Sequence, residues 1–291
     1  MRDQAATLRD MVGEPQRFAK VVTFASGKGG VGKSNLSLAL AIVLAGKGVK
    51  VAIMDMDLGL ANLDILLGIS PRFNLTHVMA GQKKITEIVV PGPNDIMFVP
   101  GASGVSRLAN LTAKERENLS NRFSELEALA DILIVDTGAG LGENILHFAL
   151  ASQSLVVVTT SEPTSRMDAY ALIKTAWARA PALNIYILVN EVAGESEAQS
   201  VYHSLSDVCK QHLAQQPVYL GFVPRDISVS KAVAKRNPFV LEFPQCPATR
   251  AMELVAQNSQ KFFLPHRGGL EDRQRSSFFS RLFSAFSGRP A

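Results

Sequence analysis

The sequence is poor in the groups that announce metal or redox chemistry. It has two cysteines in 291 residues, Cys209 and Cys246. They form no C-x-x-C pair, so neither a zinc site nor an iron–sulfur cluster is indicated. So low a thiol count fits a reducing cytoplasm. His77, His147, His203, His212 and His266 are scattered without a ligand spacing. No apolar run approaches the ~20 residues of a spanning helix. The polar opening Met1-Arg2-Asp3-Gln4-Ala5 carries no signal-peptide pattern, and no internal repeat is visible. Charged residues make up only 19%, as expected when a sheet is covered on both faces. A hydrophobic fraction of 47% supplies a substantial core. The net charge of +4 permits an acidic membrane or nucleic-acid partner without establishing one.

What is present is concentrated in one stretch, Ser26-Gly27-Lys28-Gly29-Gly30-Val31-Gly32-Lys33-Ser34-Asn35. Gly27, Gly32, Lys33 and Ser34 fit G-x-x-x-x-G-K-[ST], the phosphate-binding P-loop. Val21 to Ala25 reads as a buried strand before it. Leu36, Leu38, Leu40, Ile42 and Val43 mark a helix after it, ended by Gly46 and Gly48. In such a setting glycines turn backbone N–H groups toward phosphates, and the helix N-terminus adds partial positive charge. Lys33 is expected to reach the β- and γ-phosphates of a bound triphosphate, and the Ser34 hydroxyl to hold Mg²⁺.

Further apolar runs end on polar residues. Val49 to Met54 leads to Asp55-Met56-Asp57, and two carboxylates so close repel unless a cation or water network separates them. Ile132 to Val135 leads to Asp136, placed to hold Mg²⁺ through water, and then to Thr137-Gly138-Ala139-Gly140. Leu155 to Thr160 is another strand. Ile185 to Val189 leads to Asn190, and Val218 to Val223 leads to Pro224-Arg225-Asp226. Between these lie helical patterns. Short helices are expected near Phe73–Met79 and Ile85–Val89, with a strand over Ile96–Val99. Thr112 and Glu115 form a capping-box pattern before a helix whose apolar face is Leu119, Phe123, Leu126 and Leu129. Trp177 is expected to pack, and Ala248–Leu264 to form the last core helix. The alternation predicts an α/β P-loop fold: one mainly parallel sheet, helices on both faces, and nucleotide at the carboxyl ends of the strands.

The second lysine of the loop, Lys28, makes the form K-G-G-V-G-K-S, which resembles the deviant Walker A of the MinD/ParA ATPases. Asp55 to Asp64 resembles their switch I pattern D-x-D-x-G-L-x-N-x-D, and Thr137 to Gly140 resembles switch II. The resemblance covers about Lys20 to Leu264. It implies an ATP·Mg²⁺ site in which Lys28 crosses a face-to-face homodimer to the partner's ATP. Asp57 then orients the attacking water, Asp55 supports the Mg²⁺ shell, and Asn62 faces the γ-phosphate. Asn190, Pro224 and Asp226 contact the base. The segment Asp3-Gln4-Ala5-x-x-Leu8-Arg9 resembles the D-Q-A-x-x-L-R of the FlhG branch. There it activates an FlhF-type GTPase, which makes Asp3, Gln4, Leu8 and Arg9 the partner-activating residues. The branch implies an ATPase, cytoplasmic and peripheral to the inner face of the cell membrane, that regulates flagellar number and placement. Flagellar switch proteins or a flagellar transcription activator are further partners it suggests.

Three units are expected: residues 1–15 as a partner-activating helix, 18–264 as the ATPase domain, and 265–291 as linker and membrane-targeting helix. In the last, Phe278, Phe279, Leu282, Phe283 and Phe286 gather on one helical face. Ser277, Ser280, Arg281 and Ser284 lie toward the other, which suits an interfacial helix on anionic lipid. Two other readings stay open on the residues alone. One is a ParA-like ATPase partitioning DNA, for which a basic stripe on the core is wanted and the excess charge lies instead in the tail. The other is an ATP-gated antiactivator binding a flagellar transcription regulator.

Overall fold

A computed structural model of the chain describes residues 18–57, 59, 61–101, 113–264 and 277–285, side chains of 113–118 excepted. In chain order it runs β1 (Lys20–Ser26), the glycine loop, α1 (Lys33–Gly46) and β2 (Val51–Met56). Three short helices follow, α2 (Leu63–Leu67), α3 (Leu75–Met79) and α4 (Ile85–Ile88), then β3 (Val90–Pro91), β4 (Met97–Val99) and α5 (Ala113–Leu129). The next part alternates β5 (Ile132–Ala139), α6 (Glu143–Ala151), β6 (Ser154–Thr159), α7 (Pro163–Arg179), β7 (Asn184–Val192), α8 (Glu195–Leu213) and β8 (Val218–Pro224). It closes with α9 (Ile227–Ala234), α10 (Phe239–Glu242), α11 (Pro247–Phe263) and α12 (Phe278–Ala285).

The described strands form an eight-stranded sheet in the order β3-β4-β2-β5-β1-β6-β7-β8. All pairings are parallel except β3 with β4. The glycine loop thus leaves the middle of the sheet, between the ends of β5 and β6. Side chains alternate between the faces, as the strand period of two requires. Val22, Phe24, Ile53, Ile134 and Leu188 pack under α1 and α11. Val21, Met54 and Val135 face the other way, packed with Phe148 of α6 and with α5 and α12. Leu155, Ile187 and Val189 pack with α7 and α8, where Trp177 is buried and donates from Nε1 to the Leu183 carbonyl.

The sheet is mainly parallel, as expected, with the two-residue β3 turning back along β4 as an edge hairpin. One expectation needs correcting: Leu129 is not part of the α5 stripe and is 44% exposed. The buried positions are Leu119, Phe123, Leu126 and Ala130, together with Glu127. That set keeps the helical spacing better than a stripe ending on Leu129.

The four described apolar residues of α12 are buried among α5, β2 and α3. Phe279 stacks on Phe123 with ring centroids 4.7 Å apart. The face expected to meet lipid is covered by the protein's own core in this conformation. Phe286, the linker, the 1–15 segment with Asp3, Gln4, Leu8 and Arg9, and the Thr112 cap lie outside the described residues. Among the described residues, no helix is long and apolar enough to cross a membrane.

Candidate functional site

The glycine loop is shaped by what presses on it. A Cβ on Gly27 would lie 2.4 Å from the backbone of Asp168 in α7, so only glycine lets that helix pack against the loop. Gly32 has φ +84, and a Cβ there would lie 2.3 Å from Asn190 Nδ2. It is the N-cap of α1 and makes no side-chain cap, so the first N–H groups of α1 remain for an anion. The loop floors an open cleft of about 430 Å³. Gly29, Gly30, Val31, Gly32, Lys33, Ser34 and Asn35 line it from below, and Asp57 and Asn62 from the side.

Beneath the cleft, Lys33 and Asp136 form a buried ion pair with Nζ 2.9 Å from Oδ1. Lys33 Nζ also donates to Ser34 Oγ, and the Ser37 hydroxyl donates to Asp136 Oδ1. The other carboxylate oxygen, Asp136 Oδ2, is buried and has no hydrogen-bond partner among the described residues; Asn62 Oδ1 is likewise buried and unpartnered. Buried acceptors of this kind are costly unless something donates or coordinates. Next to the Ser34 hydroxyl they fit the hydration shell of Mg²⁺, a hard cation that keeps several waters.

Asp55 is in a different position from a simple metal ligand. Its Oδ1 accepts from Asp57 N, and its Oδ2 from Asn62 N and Leu63 N. It therefore folds the loop that carries Asp57 and Asn62 and caps α2. Burial pushes its carboxyl up to about 6, with Asp136 adding to the rise, against the three N–H donors that lower it. Asp57 Oδ1 accepts from Gly59 N. A Cβ on Gly138 would come within 3.2 Å of that same oxygen, so glycine there leaves Asp57 room beside the second loop.

The residues expected at the base are held by local structure. Asn190 donates from Nδ2 to the Val31 carbonyl, which ties the end of β7 to the glycine loop. It is aimed there by a bulge: the β7–β8 register shifts between Asn190 and Val192, and Glu191 between them has φ 57. Nothing in the sequence around Glu191 signals that left-handed backbone. Both carboxylate oxygens of Asp226 are used, Oδ1 by Ser228 N at the start of α9 and Oδ2 by Ala248 N of α11. Pro224 ends β8, so Pro224 and Asp226 fix the loop beside the site, and the Asp226 side chain serves as a cap.

Lys28 stands apart from the other loop residues. Its ammonium donates to Glu162 and Thr164 at the N-terminal turn of α7, and its side chain is 39% exposed. Glu143, at the start of α6, is in a two-pronged pair with Arg179. Among the described residues there is no cluster of His, Cys, Asp or Glu that could hold a metal by itself.

The model of the CobQ/CobB/MinD/ParA nucleotide binding domain matches residues 22–239. The chain belongs to the MinD/ParA family. This MinD/ParA chain is 37% identical over 254 residues to antiactivator FleN of Pseudomonas aeruginosa, covering 87% of this chain and 91% of that protein. It is 35% identical over 247 residues to the flagellum site-determining protein YlxH of Helicobacter pylori, covering 81% and 83%. These relatives put it on the FlhG-type branch. MinD of Pyrococcus horikoshii, solved with Mg-ADP, superposes with a TM-score of 0.68 at 22% identity over 84% of this chain and 97% of that one. MinD of Aquifex aeolicus superposes equally, with a TM-score of 0.68 at 21% identity over 86% and 100%. At that identity the likeness speaks for the fold. The family and the unpartnered oxygens of the cleft agree on ATP and Mg²⁺ as the cofactors.

Proposed function

We propose that this protein is an ATPase that dimerises face to face around ATP, docks reversibly on anionic inner membrane, and regulates flagellar number and placement with an FlhF-type GTPase. The observation that carries the reading is the division of labour between two lysines of one loop. Lys33 is buried on the phosphate floor, while Lys28 sits on the outer rim, held by an exposed ion pair with Glu162 and a hydrogen bond to Thr164. Exposed pairs contribute little to stability, so Lys28 can leave Glu162 for a phosphate presented by a second copy.

Hydrolysis then follows from groups already in place. The loop N–H groups and Lys33 bind the phosphates, and Asp57 orients water against the γ-phosphate. Lys28 of the opposing copy neutralises charge as it develops on the transferring group. Mg²⁺, when bound, neutralises charge on the β- and γ-phosphate oxygens; Ser34 and Asp136 would hold it, Asp136 through water. Lys28→Ala should fold normally but lose ATP-dependent dimerisation and, with it, most turnover. Light scattering in ATP and Mg²⁺ checks this, and unchanged dimer formation by the variant would refute it.

The FlhG-type branch supports the flagellar role, as do the names of the FleN and YlxH relatives. The partner-activating part falls to residues 1–12, where Gln4 and Arg9 can complete another enzyme's site in trans. Deleting that segment should leave basal ATPase unchanged and remove stimulation of a purified FlhF-type GTPase. Equal stimulation by both forms would rule the role out. Membrane docking falls to α12, which must first leave the core that covers it. Two such helices in one dimer bind a vesicle far better than one, through effective concentration.

A further inference from the structure

Glu127, in the last turn of α5, is fully buried. A buried carboxylate is costly unless it is hydrogen-bonded. Its Oε1 accepts from Ser277 Oγ and from Phe279 N, and its Oε2 from Phe278 N. Among the described residues, its side-chain donors come from Ser277 and the first two residues of α12. Burial raises its pKa, against those bonds and the nearby Arg281 charge, which lower it. From the other side, the carboxylate satisfies N–H groups that a helix start leaves orphaned, and it places negative charge at the positive end of the helix dipole. Arg281 Nε also ties the helix to the Ala151 carbonyl at the end of α6.

We infer that the Glu127 carboxylate is the latch that keeps α12 on the core, and so sets how readily the helix passes to a lipid surface. The inference rests on the proposed membrane role of α12. Its physical basis is a cancellation. Phe278, Phe279, Leu282 and Phe283 are removed from water in the groove, and they would be removed from water again in the apolar layer of a bilayer. Their burial therefore contributes on both sides of the equilibrium and decides little. The bonds to Glu127 exist on one side only. A lipid phosphate offers anionic oxygens to the helix N-terminus, so an anionic surface competes with Glu127 for the Phe278 and Phe279 N–H groups, and it attracts the Arg281 charge as well. The groove also suits an occupant that leaves. Met54, Met56 and Met79 line a small void of about 20 Å³ beside Phe279 and Phe283, and methionines repack readily around a changed neighbour.

The test uses full-length protein without nucleotide and compares wild type with Glu127→Ala and Ser277→Ala. Hydrogen exchange is followed at the amides of residues 278–285, and sedimentation with phosphatidylglycerol vesicles is measured in parallel. Loss of bonds to a charged acceptor should raise both exchange and vesicle binding about tenfold in Glu127→Ala, and less in Ser277→Ala. Exchange equal to wild type in Glu127→Ala overturns the latch. Faster exchange without vesicle binding leaves the latch standing and overturns the membrane role of α12. If Glu127→Ala does not fold, Ser277→Ala, which alters only a side chain near the surface, decides by the same two readings.

Discussion

Lys33→Ala is expected to abolish ATP binding and to cost about 3 kcal/mol of stability. The two effects have separate causes. Binding is lost because Lys33 is, among the described residues, the one lysine lining the cleft floor. Stability is lost because Asp136, fully buried, keeps only the Ser37 hydroxyl on Oδ1 once the ammonium is gone, and an uncompensated buried charge is expensive. Lys33→Ala with Asp136→Asn removes that charge. The double variant should recover most of the lost stability in a denaturant titration while remaining unable to bind ATP. If the single variant melts like wild type, the buried Lys33–Asp136 pair does not contribute to stability.

Asp57→Ala should act on a later step. Asp57 Oδ1 accepts from Gly59 N and lies beside Gly138, whereas Lys33 is held by Asp136 and Ser34, so the loss of Asp57 leaves Lys33 in place. ATP should bind normally, and the protein should accumulate as an ATP-loaded dimer. Turnover should fall at least about a hundredfold, the scale of losing a group that positions or activates the nucleophile. Quenched-flow measurement of phosphate release, with light scattering on the same sample, separates the cases. Wild-type turnover would remove Asp57 from the mechanism. Weakened ATP binding would instead mean that the loop held by Asp55 depends on the Asp57 side chain.

The site could be read from sequence where its chemistry is local. The glycine loop, Lys33 and Ser34 sit at fixed offsets between a strand and a helix, and Asp55 and Asp136 each follow an apolar run. What stayed hidden depends on contacts far along the chain. Glu127 reads as a surface charge on α5, because its donor at Ser277 is 150 residues away. The apolar stripe of α12 says that the face must be covered, but its own residues do not distinguish lipid from the α5 groove. The commitment of both Asp226 oxygens needs Ala248 N beside it, a contact spanning 22 residues. Glu191 hides for another reason: a left-handed residue in a strand is imposed by the β7–β8 register, and glutamate carries no sign of it.

The central claim is that each active site is completed by Lys28 of a second copy. ATP turnover per subunit, measured across a wide range of protein concentration with saturating ATP and Mg²⁺, tests it most directly. Turnover per subunit should rise with concentration to a plateau in the wild type and stay low and flat in Lys28→Ala. A wild-type rate per subunit independent of concentration down to the most dilute samples, where the protein is monomeric by light scattering, would contradict it.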